Sequence, residues 1–83
     1  MQQRFATGEI IFRQGDQSNV AYIIVSGKVE IFRELSGSPR QRVAVLEAGQ
    51  MFGEMGVLDH APRNAGARAL ADTIVQAVTI EDE

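Results

Sequence analysis

The sequence contains no cysteine, no tryptophan, one tyrosine, one histidine and two prolines in 83 residues. Without cysteine there can be no disulfide, thiolate metal site or cysteine nucleophile, and the lack fits a reducing, cytoplasmic setting. A single histidine, His60, is too few for an imidazole-rich metal centre, so no metal is expected. No nucleophile stands beside a base in a recognisable arrangement, and Ser26, Ser36 and Ser38 read as turn residues, so no catalytic residues are assigned and the chain is not expected to be an enzyme. No apolar run approaches the roughly 20 residues of a membrane span, and Met1-Gln2-Gln3-Arg4 leads into no signal-peptide core, which argues against membrane insertion. Eight basic residues against 11 acidic ones give a net charge of −3. That balance argues against direct nucleic-acid binding, which needs a clustered basic face. With four phenylalanines as the main aromatics, the core must rest on Ile, Val, Leu and Ala, and a ligand bound only by the folded form should raise stability noticeably.

What is present is ordinary globular composition, 45% hydrophobic and 23% charged, in a length that allows one domain. Gly, Pro, Ser and Asn cut the chain into short β-rich pieces, which reads as a mainly β sandwich or barrel. Ile10-Ile11-Phe12 reads as a strand ending in a turn at Gln14-Gly15-Asp16, and Ala21 to Val25 as a second. Ser26-Gly27 is then expected to close a hairpin into Lys28 to Arg33, with Val29 and Ile31 on one face and Lys28, Glu30 and Phe32 on the other. Glu34 to Gln41 reads as an exposed loop, Arg42 to Leu46 as a strand, and Gly49 as a turn. Asn64 to Leu70 and Thr73 to Ile80 are expected as two strands joined at Ala71-Asp72. Arg68, on the first of these, should cross to a neighbouring carboxylate. Gly53 to Leu58 is expected to form one short helix, since Glu54, Met55 and Leu58 recur at one-turn spacing. Met51, Phe52 and Met55 suit core filling around it.

The chemistry concentrates in Phe52-Gly53-Glu54-Met55-Gly56-Val57-Leu58 and Pro62-Arg63-Asn64-Ala65. A helix opening at Gly53 presents unpaired N–H groups, and glycine allows close approach of a phosphate oxygen. Arg63 offers fixed donors that can grip two oxygens of a phosphodiester. Glu54, with its charge balanced by Arg63, can accept a hydrogen bond from a ribose 2′-hydroxyl and so select ribose over deoxyribose. The bland alternatives are a solvated Glu54 and a surface ion pair of Arg63 with Asp59 or Glu54, which is worth little.

This segment resembles the phosphate-binding cassette of the cyclic-nucleotide-binding domains found in catabolite regulators, cyclic-nucleotide-dependent kinases and gated channels. Upstream, Gly8-Glu9-Ile10-Ile11, Gln14-Gly15-Asp16, Tyr22-Ile23-Ile24 and Gly27-Lys28-Val29 are similar to the first strands of that family's jelly roll, so the likeness covers nearly the whole chain. It implies a double-stranded β-helix (jelly-roll) barrel with one short helix in the cassette. It also implies a regulatory module that binds cyclic AMP or cyclic GMP as ligand, with no cofactor. By the same resemblance Glu54 takes the ribose 2′-hydroxyl and Arg63 the equatorial phosphate oxygens. Amides near Gly53, Gly56 and Ala65 complete the cage, with Met55 and Asn64 in the same lining, and Ile31, Ala44 and Leu46 face the purine.

Three departures from the family pattern stand out. Asn64 replaces the usual Ser, Thr or Ala; threonine there goes with guanine preference, so the base stays undecided. Gly66 and Ala67 replace a larger, often β-branched pair, which implies a looser pocket wall. The helices that cap the base and transmit the signal in the family lie outside residues 1–83, so the chain is read as an excised or minimal module. Its partners would be a cyclic nucleotide and the flanking helices or effector domain of a parent protein, with a homodimer also open. Two rivals are a degenerate jelly roll with a structural or dimerisation role, and a cupin-type metalloenzyme, against which the lone His60 counts.

Overall fold

A computed structural model of the chain describes residues 2–16, 20–34, 39–53 and 65–79. Eight strands occur in them: β1 (Gln2–Phe5), β2 (Ile10–Phe12), β3 (Val20–Ser26), β4 (Lys28–Arg33), β5 (Gln41–Glu47), β6 (Met51–Phe52), β7 (Gly66–Ala69) and β8 (Thr73–Thr79). They form two antiparallel sheets of four, ordered β1-β8-β3-β6 and β2-β7-β4-β5. Among the described strands only β4 and β5 are both consecutive and paired, so nearly every connection carries the chain from one sheet to the other, as in a jelly roll. The short helix expected from Gly53 onward lies outside the described residues beyond Gly53 itself.

The inner faces meet in a core of Ile24, Phe52 and Val75 from the first sheet and Val29 and Ala67 from the second. Phe5, Tyr22, Ile11, Phe12, Ile31 and Leu46 pack around it. The rings of Phe12, Tyr22 and Phe52 lie 5.4–6.1 Å apart, which concentrates most of the aromatic area at the point where β6 ends. The sequence has no residue to spare for a second large cluster.

Three turns share one construction. In Ala6–Glu9, Arg13–Asp16 and Glu47–Gln50 the third residue is a glycine with φ between 89° and 93°, as a type II turn requires. The fourth residue's N–H is donated to the first residue's carbonyl at 3.0–3.1 Å. Its side-chain oxygen in turn accepts the first residue's N–H at 2.7–2.9 Å. A glycine followed by Glu, Asp or Gln therefore pairs the N–H and carbonyl of the turn's first residue within the turn itself.

The expected Ser26-Gly27 hairpin is not formed. β3 already has β8 and β6 as neighbours, and β4 has β5 and β7, so neither strand has a free edge for the other. Gly27, at φ 102°, turns a corner between sheets instead. Thr73, fully buried, fills the corner: its hydroxyl donates to the Ala71 carbonyl at 2.8 Å and accepts the Lys28 N–H at 3.3 Å. The same end is closed by Gly8 N–H to the Ala69 carbonyl, Leu70 N–H to the Lys28 carbonyl, and Thr7 to the Asp72 carboxylate. Likewise β7 and β8, expected as strands joined at Ala71-Asp72, belong to different sheets. β1 was not expected, because Gln2-Gln3-Arg4 shows no apolar alternation; it is an edge strand and largely exposed.

A Cβ on Gly27 would sit 2.4 Å from Thr73 Oγ1 and 2.7 Å from the Asp72 carbonyl oxygen, whereas one on Gly8 meets nothing within 4 Å. Gly27→Ala should therefore destabilise the fold by about 2–4 kcal/mol, combining the left-handed backbone cost with overpacking. Gly8→Ala should cost about 1–2 kcal/mol, from the backbone alone. Urea denaturation of both variants checks the ranking; equal losses would refute the corner's role.

Candidate functional site

The segment that carries the chemistry leaves the first sheet and enters the second. β6 delivers the chain to it, with Phe52 buried under Phe12 and Tyr22 and Gly53 at φ 84°. β7 receives it, beginning just after Ala65. Glu54, Met55, Gly56, Arg63 and Asn64 lie outside the described residues, as does His60. Gly53, Ala65, Ile31, Ala44 and Leu46 lie within them.

The three residues assigned to the purine come together in the second sheet. Ile31 on β4 is opposite Ala44 on β5, and Leu46 is opposite Val29 one step along. On its other side Ile31 is opposite Ala67 of β7, so Ile31 links this apolar group to the strand that follows Ala65, with Ala44 and Leu46 one strand further out. Ile31 and Leu46 pack against the core, which fixes the face they share. Met51 does not fill the core: β-strand alternation gives the inward direction to Phe52, and Met51 is left 45% exposed.

The looser wall expected from Gly66 and Ala67 is not what the strand shows. Ala67 is fully buried in the core beside Ile31. Gly66 pairs with Phe32 on the opposite, outer face, where the Phe32 ring takes the space a side chain would need: a Cβ there would lie 2.4 Å from Phe32 Cζ.

Arg68 is engaged away from the site. Its Nη2 is 2.9 Å from Glu30 Oε1, and Arg42 Nε donates to Glu30 Oε2 at 2.7 Å. Glu30 is thus a buried carboxylate, 5% exposed, clamped from both neighbouring strands on the outer face. Burial alone would push its carboxyl up. The hydrogen bond from Arg42 and the charges of Arg68 and Arg42 outweigh that and hold it below the ordinary glutamate range. Sequence reasoning found Arg68's carboxylate partner only in kind; the identity of Glu30 needed the β4–β7 register. Among the described residues no cluster of His, Cys, Asp and Glu could hold a metal ion, and no helix is long and apolar enough to cross a membrane.

With this arrangement in view, the comparisons with known proteins are direct. The family described as the cyclic nucleotide-binding domain matches residues 2–82. The chain belongs to that family. It is 41% identical over 78 residues to the cyclic AMP receptor protein of Thermus thermophilus, covering 94% of this chain and 36% of that protein. It is 30% identical over 77 residues to the cAMP-dependent protein kinase regulatory subunit of Blastocladiella emersonii, covering 93% of this chain and 19% of that subunit. Among solved structures, the EAL enzyme Bd1971 in its cAMP-bound form superposes with a TM-score of 0.90 at 34% identity, covering 95% of this chain and 21% of that one. Its cGMP-bound form superposes equally well. The chain therefore spans about a fifth to a third of the length of these relatives.

Because the Glu30 carboxyl titrates lower in the fold than in the unfolded chain, its stabilisation is present above the unfolded value near pH 4 and is lost as pH falls through the folded one. Glu30→Gln should cost about 1–2 kcal/mol at pH 7, the clamp being partly open to solvent on the arginine side. The gap to the parent chain should close below about pH 4. Chemical denaturation across pH 3–7 reads both; a pH-independent gap would contradict the clamp.

Proposed function

We propose that the chain is a non-catalytic regulatory module that binds cyclic AMP or cyclic GMP through the segment between β6 and β7. The reading rests on one observation: the sequence Phe52-Gly53-Glu54 followed by Pro62-Arg63-Asn64-Ala65 spans the crossing between the two sheets in a chain that the family matches from residue 2 to residue 82. Arg63 grips the phosphate, and the amides near Gly53, Gly56 and Ala65 add donors, with Met55 and Asn64 in the same lining. Glu54 takes the ribose 2′-hydroxyl. Ile31 beside β7, with Ala44 and Leu46 on the next strand, offers an apolar surface to the purine.

Bd1971 has both a cAMP-bound and a cGMP-bound form, so likeness to it favours neither base. The module works as part of a longer parent in the cytoplasm, where ligand occupancy alters the packing of flanking helices or an effector domain. It performs no chemistry on the ligand and inserts into neither membrane nor nucleic acid.

Isothermal titration of the chain with cyclic AMP and with cyclic GMP at up to millimolar ligand should show saturable binding of at least one. Arg63→Ala should remove it. The 2′-deoxy analogue should bind at least about tenfold more weakly, the loss expected when a buried charged acceptor is left unpaired. No heat with either nucleotide, or an Arg63→Ala variant that binds like the parent, would defeat the reading.

A further inference from the structure

The outer face of the second sheet contains a stack with no counterpart elsewhere in the described residues. Phe32 is a large side chain pointing away from the shared core, yet it is only 2% exposed. Among the described residues, two groups lie against it. Its ring tip lies over Gly66, the directly opposite residue on β7: Cζ, Cε2 and Cε1 are the atoms nearest to where a Gly66 Cβ would stand, at 2.4, 2.7 and 3.0 Å. The guanidinium of Arg40 sits 4.2 Å from the ring centroid, within the range of a cation–π contact. Arg40 is itself anchored, since its Nε and Nη2 both donate to Glu34 Oε1, at 3.1 and 2.9 Å. Glu34, Arg40, Phe32 and Gly66 thus form a continuous brace from the β4–β5 hairpin to the first residue of β7.

Gly66 is also the residue next to Ala65, where the ligand-binding segment rejoins the sheet. Its backbone can come under the ring only because it has no side chain, an arrangement in which an aromatic on one strand shelters a glycine on its neighbour. The volume that the family pattern places on the residue after the cassette is supplied here from β4.

We infer that Gly66 and Phe32 are a positioning pair: the ring resting on Gly66 sets the height of the β7 backbone and, through it, the position of the Ala65 amide. This inference rests on the cyclic-nucleotide reading above. A hydrogen bond to phosphate tolerates only a few tenths of an ångström between 2.7 and 3.2 Å, while a methyl group 2.4 Å from Cζ forces a larger shift of ring or strand. Leucine in place of Phe32 lacks Cζ, Cε1 and Cε2, the three atoms in the way, so the pair can be tested by exchanging volume between the two positions.

The experiment measures affinity for cyclic AMP and cyclic GMP, at a temperature where circular dichroism shows every protein fully folded. The proteins are the parent chain, Gly66→Ala, Phe32→Leu with Gly66→Ala, and Gly27→Ala. Gly66→Ala should bind about tenfold more weakly, the loss of one charge-assisted donor. The double variant should recover to within about threefold of the parent. Gly27→Ala, destabilised at the far end of the barrel, should keep the parent affinity, which separates positioning from mere loss of stability. Parent-like affinity in Gly66→Ala, an unrescued double variant, or a Gly27→Ala loss as large as that of Gly66→Ala would each overturn the pairing while leaving the cyclic-nucleotide reading intact. Absence of binding by the parent itself would instead sink that reading and the inference together.

Discussion

The fold depends on the chain changing sheets at Gly27 without a break in either strand. β3 ends at Ser26 and β4 begins at Lys28, so one residue must turn the chain from the first sheet to the second. That residue needs positive φ and no Cβ, because Thr73 and Asp72 press against the corner. From this crossing follows the pairing of everything else. β3 becomes free to sit between β8 and β6, and β4 between β7 and β5. Val29 and Ile24, close in sequence on either side of the corner, meet from opposite sheets in the core. The hydrogen bonds around residues 6–9, 69–73 and 27–28 gather at this end, and the end of β6 at Phe52 and the start of β7 at Gly66 lie at the other.

The two sheets use charge differently. In the first, Arg4 is the only charged strand residue; in the second, Lys28, Glu30, Arg33, Arg42, Glu47 and Arg68 are all charged. On the outer face of the second sheet most of these groups are paired. Glu30 binds Arg42 and Arg68, Lys28 reaches Glu47 at 3.7 Å, and Arg40 holds Glu34. Arg68, the cation nearest Arg63 in sequence, is thereby paired with a buried carboxylate. Desolvation of the buried Glu30 carboxylate offsets much of the attraction its two arginines supply.

Much of this was legible in the residues. The glycines at 15 and 49 marked two turns, and alternation sorted Val29 and Ile31 from Glu30 and Phe32 correctly. Phe-Gly-Glu and Pro-Arg, in a β framework, were enough to name the family. What the sequence could not disclose were the facts that depend on non-local pairing. Ser26-Gly27 reads locally as a hairpin turn, and nothing in those two residues reports that both flanking strands find other partners. β1 carries too little apolar pattern to be seen; its strand character comes from pairing with β8. Met51 and Phe52 are both good core residues by type, and only the pairing of Met51 with Ile23 and of Phe52 with Tyr22 decides which one points inward.

Gly66 shows how the same limit can invert a functional inference. Compared with a family pattern, a glycine in place of a bulky residue next to the site implies lost packing and a slack wall. That inference treats each position as responsible for its own volume. In a sheet, volume is shared across strands: the residue opposite Gly66 is Phe32, its ring occupies the vacated space, and the outer face is closed again by Arg40. Small residues around a binding segment therefore cannot be read as signs of decay until their cross-strand partners are known. Here the partner converts an apparent defect into a contact that ties the first residue of β7 to the neighbouring hairpin, so the departure from pattern is not by itself a sign of lost packing.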